Sequence, residues 1–128
     1  VWSLQERLLF PGSLSQGGPL ARLDAGEGLE VLRVPDPAGE VTLAWAPHPE
    51  GRERGPVVLF LYGNGTWLAS ATSSIRLLRE RLDAAVVCPE YRGFGLDGGR
   101  PSEAGCRESA LAALRWLQSR GVDSRRVV

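Results

Sequence analysis

Two stretches hold the residues whose types and spacing suit chemistry. In the first, "VVLFLYGNGTW" (Val57–Trp67), an apolar, strand-forming run ends abruptly in Gly63-Asn64-Gly65. Glycine admits positive φ and leaves neighbouring backbone N–H groups uncovered by any Cβ. Donors presented in this way could stabilise a developing oxyanion or hold a phosphate. From the loop alone, a tight turn required by the fold is an equal reading. The second stretch, "RGFGLDGG" (Arg92–Gly99), contains G-x-G-x-x-G at Gly93, Gly95 and Gly98. In a dinucleotide site that motif opens a helix, and an acidic ribose ligand follows about twenty residues later. Here Pro101-Ser102 delays the helix, and the acidic position falls near the helix end. The match is weak.

Few other residues offer chemistry. His48, in the Pro-flanked loop "APHPEG", is the one histidine and reads as a solvated loop residue. Ser73, Ser74 and Ser109 fall in helical stretches and read as helix surface. Cys88 and Cys106 lack metal-ligand spacing and read as two buried thiols. Fifteen cations, all arginine, balance fifteen acids, which argues against a nucleic-acid partner. The sequence has no apolar run of the ~18 residues needed to span a membrane, and no signal-peptide pattern. It begins at Val1, contains no Met and stops at "SRRVV", so a longer protein is expected, with residues missing at both ends.

The elements that must position the two loops are legible in the pattern. The 128 residues, 43% hydrophobic, fit one globular domain. Residues 1–28 form a Gly-, Ser- and Leu-rich lead-in. Leu29 to Ala46 reads as an antiparallel hairpin, with "PDPAG" as turn chemistry and Val41, Leu43 and Trp45 on one face. Val57 to Tyr62 is continuously apolar, as expected of a strand covered on both faces. Leu68, Ala71, Ile75, Leu78 and Leu82 form a helix stripe, and "AAVVCPEY" is a second buried strand. Ser102 is the expected N-cap of another helix, with Cys106, Ala110, Ala113, Leu114 and Leu117 as its stripe and Gly121 past its end. "RRVV" begins a third strand. Strand–helix–strand–helix–strand after a hairpin predicts an α/β fold: a mixed sheet, mostly parallel, with helices on both faces. In such sheets ligands bind beyond the carboxyl ends of the parallel strands, where both glycine loops lie.

At this point the sequence resembles a known family. "LYGNG", "EYRGFGLDGGRPSEAG" and "ALAALRWLQSRGVDSRRVV" look like the N-terminal half of an α/β-hydrolase. More narrowly, they resemble the membrane-anchored serine hydrolase branch with a His-Gly-Asn loop and a Tyr-Arg-Gly-Tyr-Gly…Pro-Ser-Glu-Gly loop. The resemblance covers residues 29–128, and "ERLLFPG" in the 1–28 lead-in resembles the segment that follows that branch's anchor. Arg92, Gly93, Gly95, Gly99, Pro101, Ser102, Glu103 and Gly105 all fall in register. Three positions depart: Tyr62 stands for the usual His, Glu90 for a frequent Asp and Asp97 for a frequent Ser.

The resemblance implies a Ser-His-Asp hydrolase acting on a small-molecule ester, thioester or amide, without metal or organic cofactor. By position, the backbone N–H of Asn64 is the oxyanion donor and Gly65 shapes its loop. Gly63, Arg92, Gly93 and Gly95 are implied to structure the loops, with Arg92 anchoring its own through nearby carbonyls or carboxylates. A membrane anchor upstream of residue 1, and so membrane association, is implied by the anchored branch. The nucleophile motif G-x-S-x-G does not occur in the 128 residues, so nucleophile, acid and base are expected after Val128, beyond a truncation before the nucleophile elbow. Two alternatives stand beside this reading: a catalytically inactive hydrolase-fold binding module, which Tyr62 in place of His would suit, and a dinucleotide-binding protein.

Overall fold

The computed structural model describes residues 8–9, 16–17, 23, 26, 28–63 and 65–128. Most of the 1–28 lead-in, and Asn64, lie outside the described residues. Strand β1 (Glu30–Asp36) and strand β2 (Gly39–Ala46) form the expected antiparallel hairpin, in register from Glu30↔Trp45 to Asp36↔Gly39. Asp36 closes the turn by accepting the Ala38 N–H at 2.7 Å, the local bond that favours aspartate in turns. Strand β3 (Val57–Leu59), helix α1 (Leu68–Leu82), strand β4 (Ala85–Pro89) and helix α2 (Glu103–Ser119) follow. The sheet order is β1-β2-β4-β3. β2 and β4 are antiparallel, while β3 and β4 are parallel.

The two helices lie on opposite faces because the strands alternate. On β2, Ala44 and Ala46 face the cluster that holds Leu68, Ala71 and Ile75 of α1. Val41, Leu43 and Trp45 face Ala112, Ala113 and Leu117 of α2. On β4, Val86 and Cys88 serve the first cluster, and Ala85 and Val87 the second. Full burial of a side chain such as Ile75 contributes ~1.5–3 kcal/mol.

Both helix ends follow local rules. The Ser102 hydroxyl accepts the Gly105 N–H at 3.0 Å, capping α2 as expected. Gly121, with φ of 77°, ends that helix in the left-handed region. The α2 stripe differs in part. Ala113 and Leu117 are buried as expected, yet Gly105, Ser109 and Ala112 are buried too, and Cys106 is half-buried. Small side chains on that face let the helix settle close to the sheet. The α1 stripe ends early, since Leu82 is exposed. Both cysteines are free thiols, Cys88 buried and Cys106 half-buried.

Strand β3 is shorter than the apolar run that encodes it. Its pairing ends at Leu59, with one further bond from the Phe60 N–H to the Val87 carbonyl at 2.9 Å. Leu61 is exposed and Tyr62 is buried, because the chain has by then left the ladder for the loop above it. At "RRVV" the chain first makes a 3-10 turn (Ser124–Arg126), and pairing begins only at Val127, in parallel with Val57. Hydrogen bonds from Val128 N–H to the Val57 carbonyl and from Leu59 N–H to the Val128 carbonyl extend that contact. β3 therefore runs between β4 and the Val127–Val128 segment.

Candidate functional site

The first glycine loop leaves the carboxyl end of β3 and enters α1. Gly63 and Gly65 are both exposed, and a Cβ built on either would meet nothing within 4 Å. Gly65 has φ of 76°, so this position needs glycine for its backbone conformation and not for packing. The Asn64 N–H, the donor implied by resemblance, lies outside the described residues.

Beneath the loop sits a carboxylate. Glu90 is completely buried, one residue past the end of β4. Its Oε1 accepts a short hydrogen bond from the Tyr62 hydroxyl and another from the Leu68 N–H at 3.0 Å. Its Oε2 accepts the Leu96 N–H at 3.1 Å. Two of the three departures from the family pattern, Tyr62 and Glu90, are thus each other's partners. Leu68 is the first residue of α1, so the carboxylate also satisfies an unpaired amide at a helix N-terminus, where negative charge is favoured.

The aromatic side of this network is reciprocal. The Tyr62 hydroxyl accepts the Tyr91 N–H at 3.0 Å, and the Tyr91 hydroxyl donates to the Tyr62 carbonyl at 3.1 Å. The rings lie 4.4 Å apart, and Phe94 packs edge-on against both. Burial pushes the Glu90 carboxyl upward, against the opposing pull of the Tyr62 hydroxyl and the two amides. Burial, and then the neighbouring Glu90, push the Tyr62 phenol far above its ordinary range. Tyr62 is therefore a neutral donor at physiological pH. The pair's hydrogen bonds run to each other and to the backbone of Leu68, Tyr91 and Leu96.

The second loop turns most of its glycines inward, Gly98 alone of the motif glycines being exposed with open space beside it. A Cβ on Gly93 would collide with the Pro101 backbone, and one on Gly95 with the Glu90 carboxylate. Gly99 and Gly105 both face the aliphatic stem of Arg92. The N–H groups of Gly93, Phe94 and Asp97 donate to the carbonyls of Gly98, Tyr91 and Phe94, at 3.0, 2.9 and 2.8 Å. A phosphate cradle needs such donors turned outward at a helix start, and α2 begins only at Glu103. The dinucleotide reading of Gly93, Gly95 and Gly98 has no support in this geometry.

Arg92 reaches out of its loop. Its guanidinium donates to Asp36 Oδ1 at 2.6 Å, tying the loop to the end of β1. Burial raises the Asp36 carboxyl, but the Ala38 N–H and Arg92 outweigh it and hold the group below its usual value. Asp97, the third departure, is also buried. Both of its oxygens accept the Thr42 N–H, at 3.2 and 3.0 Å, and the Thr42 hydroxyl donates at 2.6 Å. Burial pushes this carboxyl up, opposed by Thr42 and Arg33.

Two expectations need correction. Ser109 is not on the helix surface: it is fully buried, accepts the Arg92 N–H at 3.2 Å and donates to the Gly105 carbonyl at 3.0 Å. Its hydroxyl thereby ties the backbone of the second loop to α2. His48 is not simply solvated. It is half-buried, and its Nε2 bonds the carbonyls of Gly55 and Pro56 at 3.1 and 3.0 Å, bracing the segment before β3. Ser73 and Ser74 are exposed. Among the described residues, no group of three or more His, Cys, Asp or Glu could hold a metal ion. No described helix is long and apolar enough to cross a membrane. Sequence reasoning noticed Glu90 only as a substitution; its place directly after an apolar strand, in "CPEY", was the available signal for a buried carboxylate.

No protein-family profile matches the chain. Among curated proteins, an α/β-hydrolase domain-containing protein of Arabidopsis thaliana, WAV2, is 30% identical over 131 residues, covering 98% of this chain and 42% of that protein. An uncharacterized protein of Mycobacterium tuberculosis is 34% identical over 130 residues, covering 99% of this chain and 44% of that protein. A lysophosphatidylserine lipase of Danio rerio is 34% identical over 90 residues, covering 66% of this chain and 24% of that protein. The chain thus spans less than half the length of these relatives. Among solved structures, an α/β-hydrolase from Vibrio vulnificus superimposes with a TM-score of 0.75 and 21% identity, over 97% of this chain and 45% of that one. The carboxylesterase EstE1, from a metagenomic library, gives a TM-score of 0.61 and 23% identity, over 98% and 40%.

Proposed function

We propose that this chain, whose fold is that of the α/β-hydrolases and whose relatives support the same superfamily, is part of a serine hydrolase and contributes one of its oxyanion donors. Fold and relatives support a hydrolase. The reading of the site rests chiefly on one observation: an exposed glycine loop, with Gly65 at positive φ, lies at the carboxyl end of a parallel strand whose neighbour begins at Val127. Adjacent parallel strands run about 4.8 Å apart and point their carboxyl ends to the same side of the sheet. A nucleophilic serine on the sharp turn after the Val127 strand would therefore stand next to the Gly63–Gly65 loop. As that serine attacks a carbonyl carbon, the carbonyl oxygen gains negative charge. Backbone N–H groups fixed about 2.7–3.1 Å from it stabilise the intermediate without reorganising. The Asn64 N–H is the proposed donor. Histidine takes the serine proton and returns it to the leaving group, and an acid orients the histidine.

The proposed substrate is an ester, in keeping with the lipase and carboxylesterase among the similar proteins; thioesters and amides undergo the same acyl transfer. The anchored branch extends the proposal to a membrane anchor preceding residue 1. An inactive binding module is not favoured, because Tyr62 has a specific partner in Glu90.

The whole protein tests the reading. A fluorophosphonate probe should label one serine, and p-nitrophenyl acetate should turn over. Asn64→Ala keeps the N–H and should cost under about tenfold in kcat. Asn64→Pro deletes it and should cost at least about a hundredfold. Equal activity in a folded Asn64→Pro protein returns the loop to a plain turn, and absence of labelling removes the hydrolase reading.

A further inference from the structure

One carboxylate oxygen holds both ends of the exposed loop. Residues 63 to 67 run between Tyr62 and Leu68. Glu90 Oε1 accepts from the Tyr62 hydroxyl on one side and from the Leu68 N–H, at 3.0 Å, on the other. The second oxygen of the same carboxylate binds Leu96 in the other glycine loop. Glu90 is completely buried, so no substrate atom touches it. Tyr62 is itself fixed through its hydroxyl and its carbonyl by the backbone and hydroxyl of Tyr91. Gly95 leaves the space that the carboxylate occupies.

We infer that Glu90 and Tyr62 are coupled positioning residues: together they set the span and aim of loop 63–67, and through it the place of the oxyanion donor. This rests on the hydrolase reading above. A short loop with two glycines has soft dihedrals and would otherwise sample several end-to-end geometries. Tying its flanking residues to one oxygen atom fixes where the loop begins and where it ends. Oxyanion stabilisation is realised mainly in the transition state, so a misplaced loop lowers kcat and leaves substrate affinity nearly unchanged. A displacement near 1 Å can cost about a hundredfold.

Three variants of the whole protein test this on p-nitrophenyl acetate: Tyr62→Phe, Glu90→Gln and the double variant. Each single change should lower kcat about ten- to a hundredfold with KM within about twofold. The double variant should lose little more than the worse single, because both residues act through one clamp. Asp36→Asn, which loosens the Arg92 brace but leaves the clamp intact, should keep kcat.

Amide exchange followed by mass spectrometry supplies a readout independent of turnover. The 60–70 peptide should exchange at least about tenfold faster in Tyr62→Phe, with α2 unchanged. Unaltered kcat in both singles, a matching kcat loss in Asp36→Asn, or strictly additive losses would overturn the clamp. If the wild type does not turn over, the hydrolase reading fails, and exchange still decides: acceleration confined to the 60–70 peptide upholds the clamp, and unchanged protection ends it. If Glu90→Gln does not fold, Tyr62→Phe carries both measurements alone.

Discussion

Gly63 and Gly65 stand in open space, whereas Gly93 and Gly95 stand where a methyl group would strike the Pro101 backbone and the Glu90 carboxylate. Both loops follow the carboxyl ends of the parallel strands β3 and β4, yet glycine serves them differently. In the first it frees the backbone surface above Tyr62. At Gly93 and Gly95 of the second it makes room for backbone and side chains packed inside the loop, where the amides of Gly93, Phe94 and Asp97 bond the loop's own carbonyls and that of Leu96 bonds Glu90. A shared richness in glycine therefore says little about ligand binding. What matters is whether the space beside the glycine is empty or filled. Glu90 joins the two loops, with Oε1 serving Tyr62 and Leu68 and Oε2 serving Leu96.

That contrast can be broken at several points. The largest effect is expected for Gly93→Ala. Its φ of 83° and its contact with the Pro101 backbone leave no relaxed position for a methyl group. Loss of about 3 kcal/mol or more is expected in urea unfolding; a loss under 1 kcal/mol would show that the second loop is looser than its packing implies.

Next comes Asp36→Asn, which weakens the brace from Arg92 and should cost about 2 kcal/mol at neutral pH. The Asp36 carboxyl is held below its ordinary value, so its stabilisation is complete above about pH 3.9 and fades as pH falls through the folded value. The gap between wild type and variant should accordingly close in acid. A gap that stays constant from pH 7 to pH 2 would exclude the charge as its source.

Gly65→Ala meets no neighbour but retains the cost of positive φ, about 1 kcal/mol. Its effect on stability should be clearly smaller than that of Gly93→Ala, and thermal melts compare the two directly. Gly63→Ala has neither obstacle and should lie within about 0.5 kcal/mol of wild type. A large loss at Gly63 would place the first loop with the packed kind and erase the distinction.

Sequence alone was enough wherever the deciding forces act over a few residues. The hairpin from Leu29 to Ala46 follows from alternation and a turn whose aspartate bonds its own backbone. The Ser102 cap and the Gly121 stop are set by helix-end hydrogen bonding within one turn. The two-sided burial of β4 follows from its unbroken apolar run. Only tertiary structure decided the rest, because the partners are brought together by topology. Asp97 meets Thr42 across 55 residues, Arg92 meets Asp36 across 56, and Glu90 meets Tyr62 across 28. Polar residues such as Glu90 and Ser109 look like surface in a linear pattern, since hydropathy carries no record of which donors will surround them once buried. The sheet order places β3, which leads into the first loop, between β4 and Val127, and only packing decides that Glu90 and Pro101 fill the space beside Gly95 and Gly93 while that beside Gly63 and Gly65 stays open.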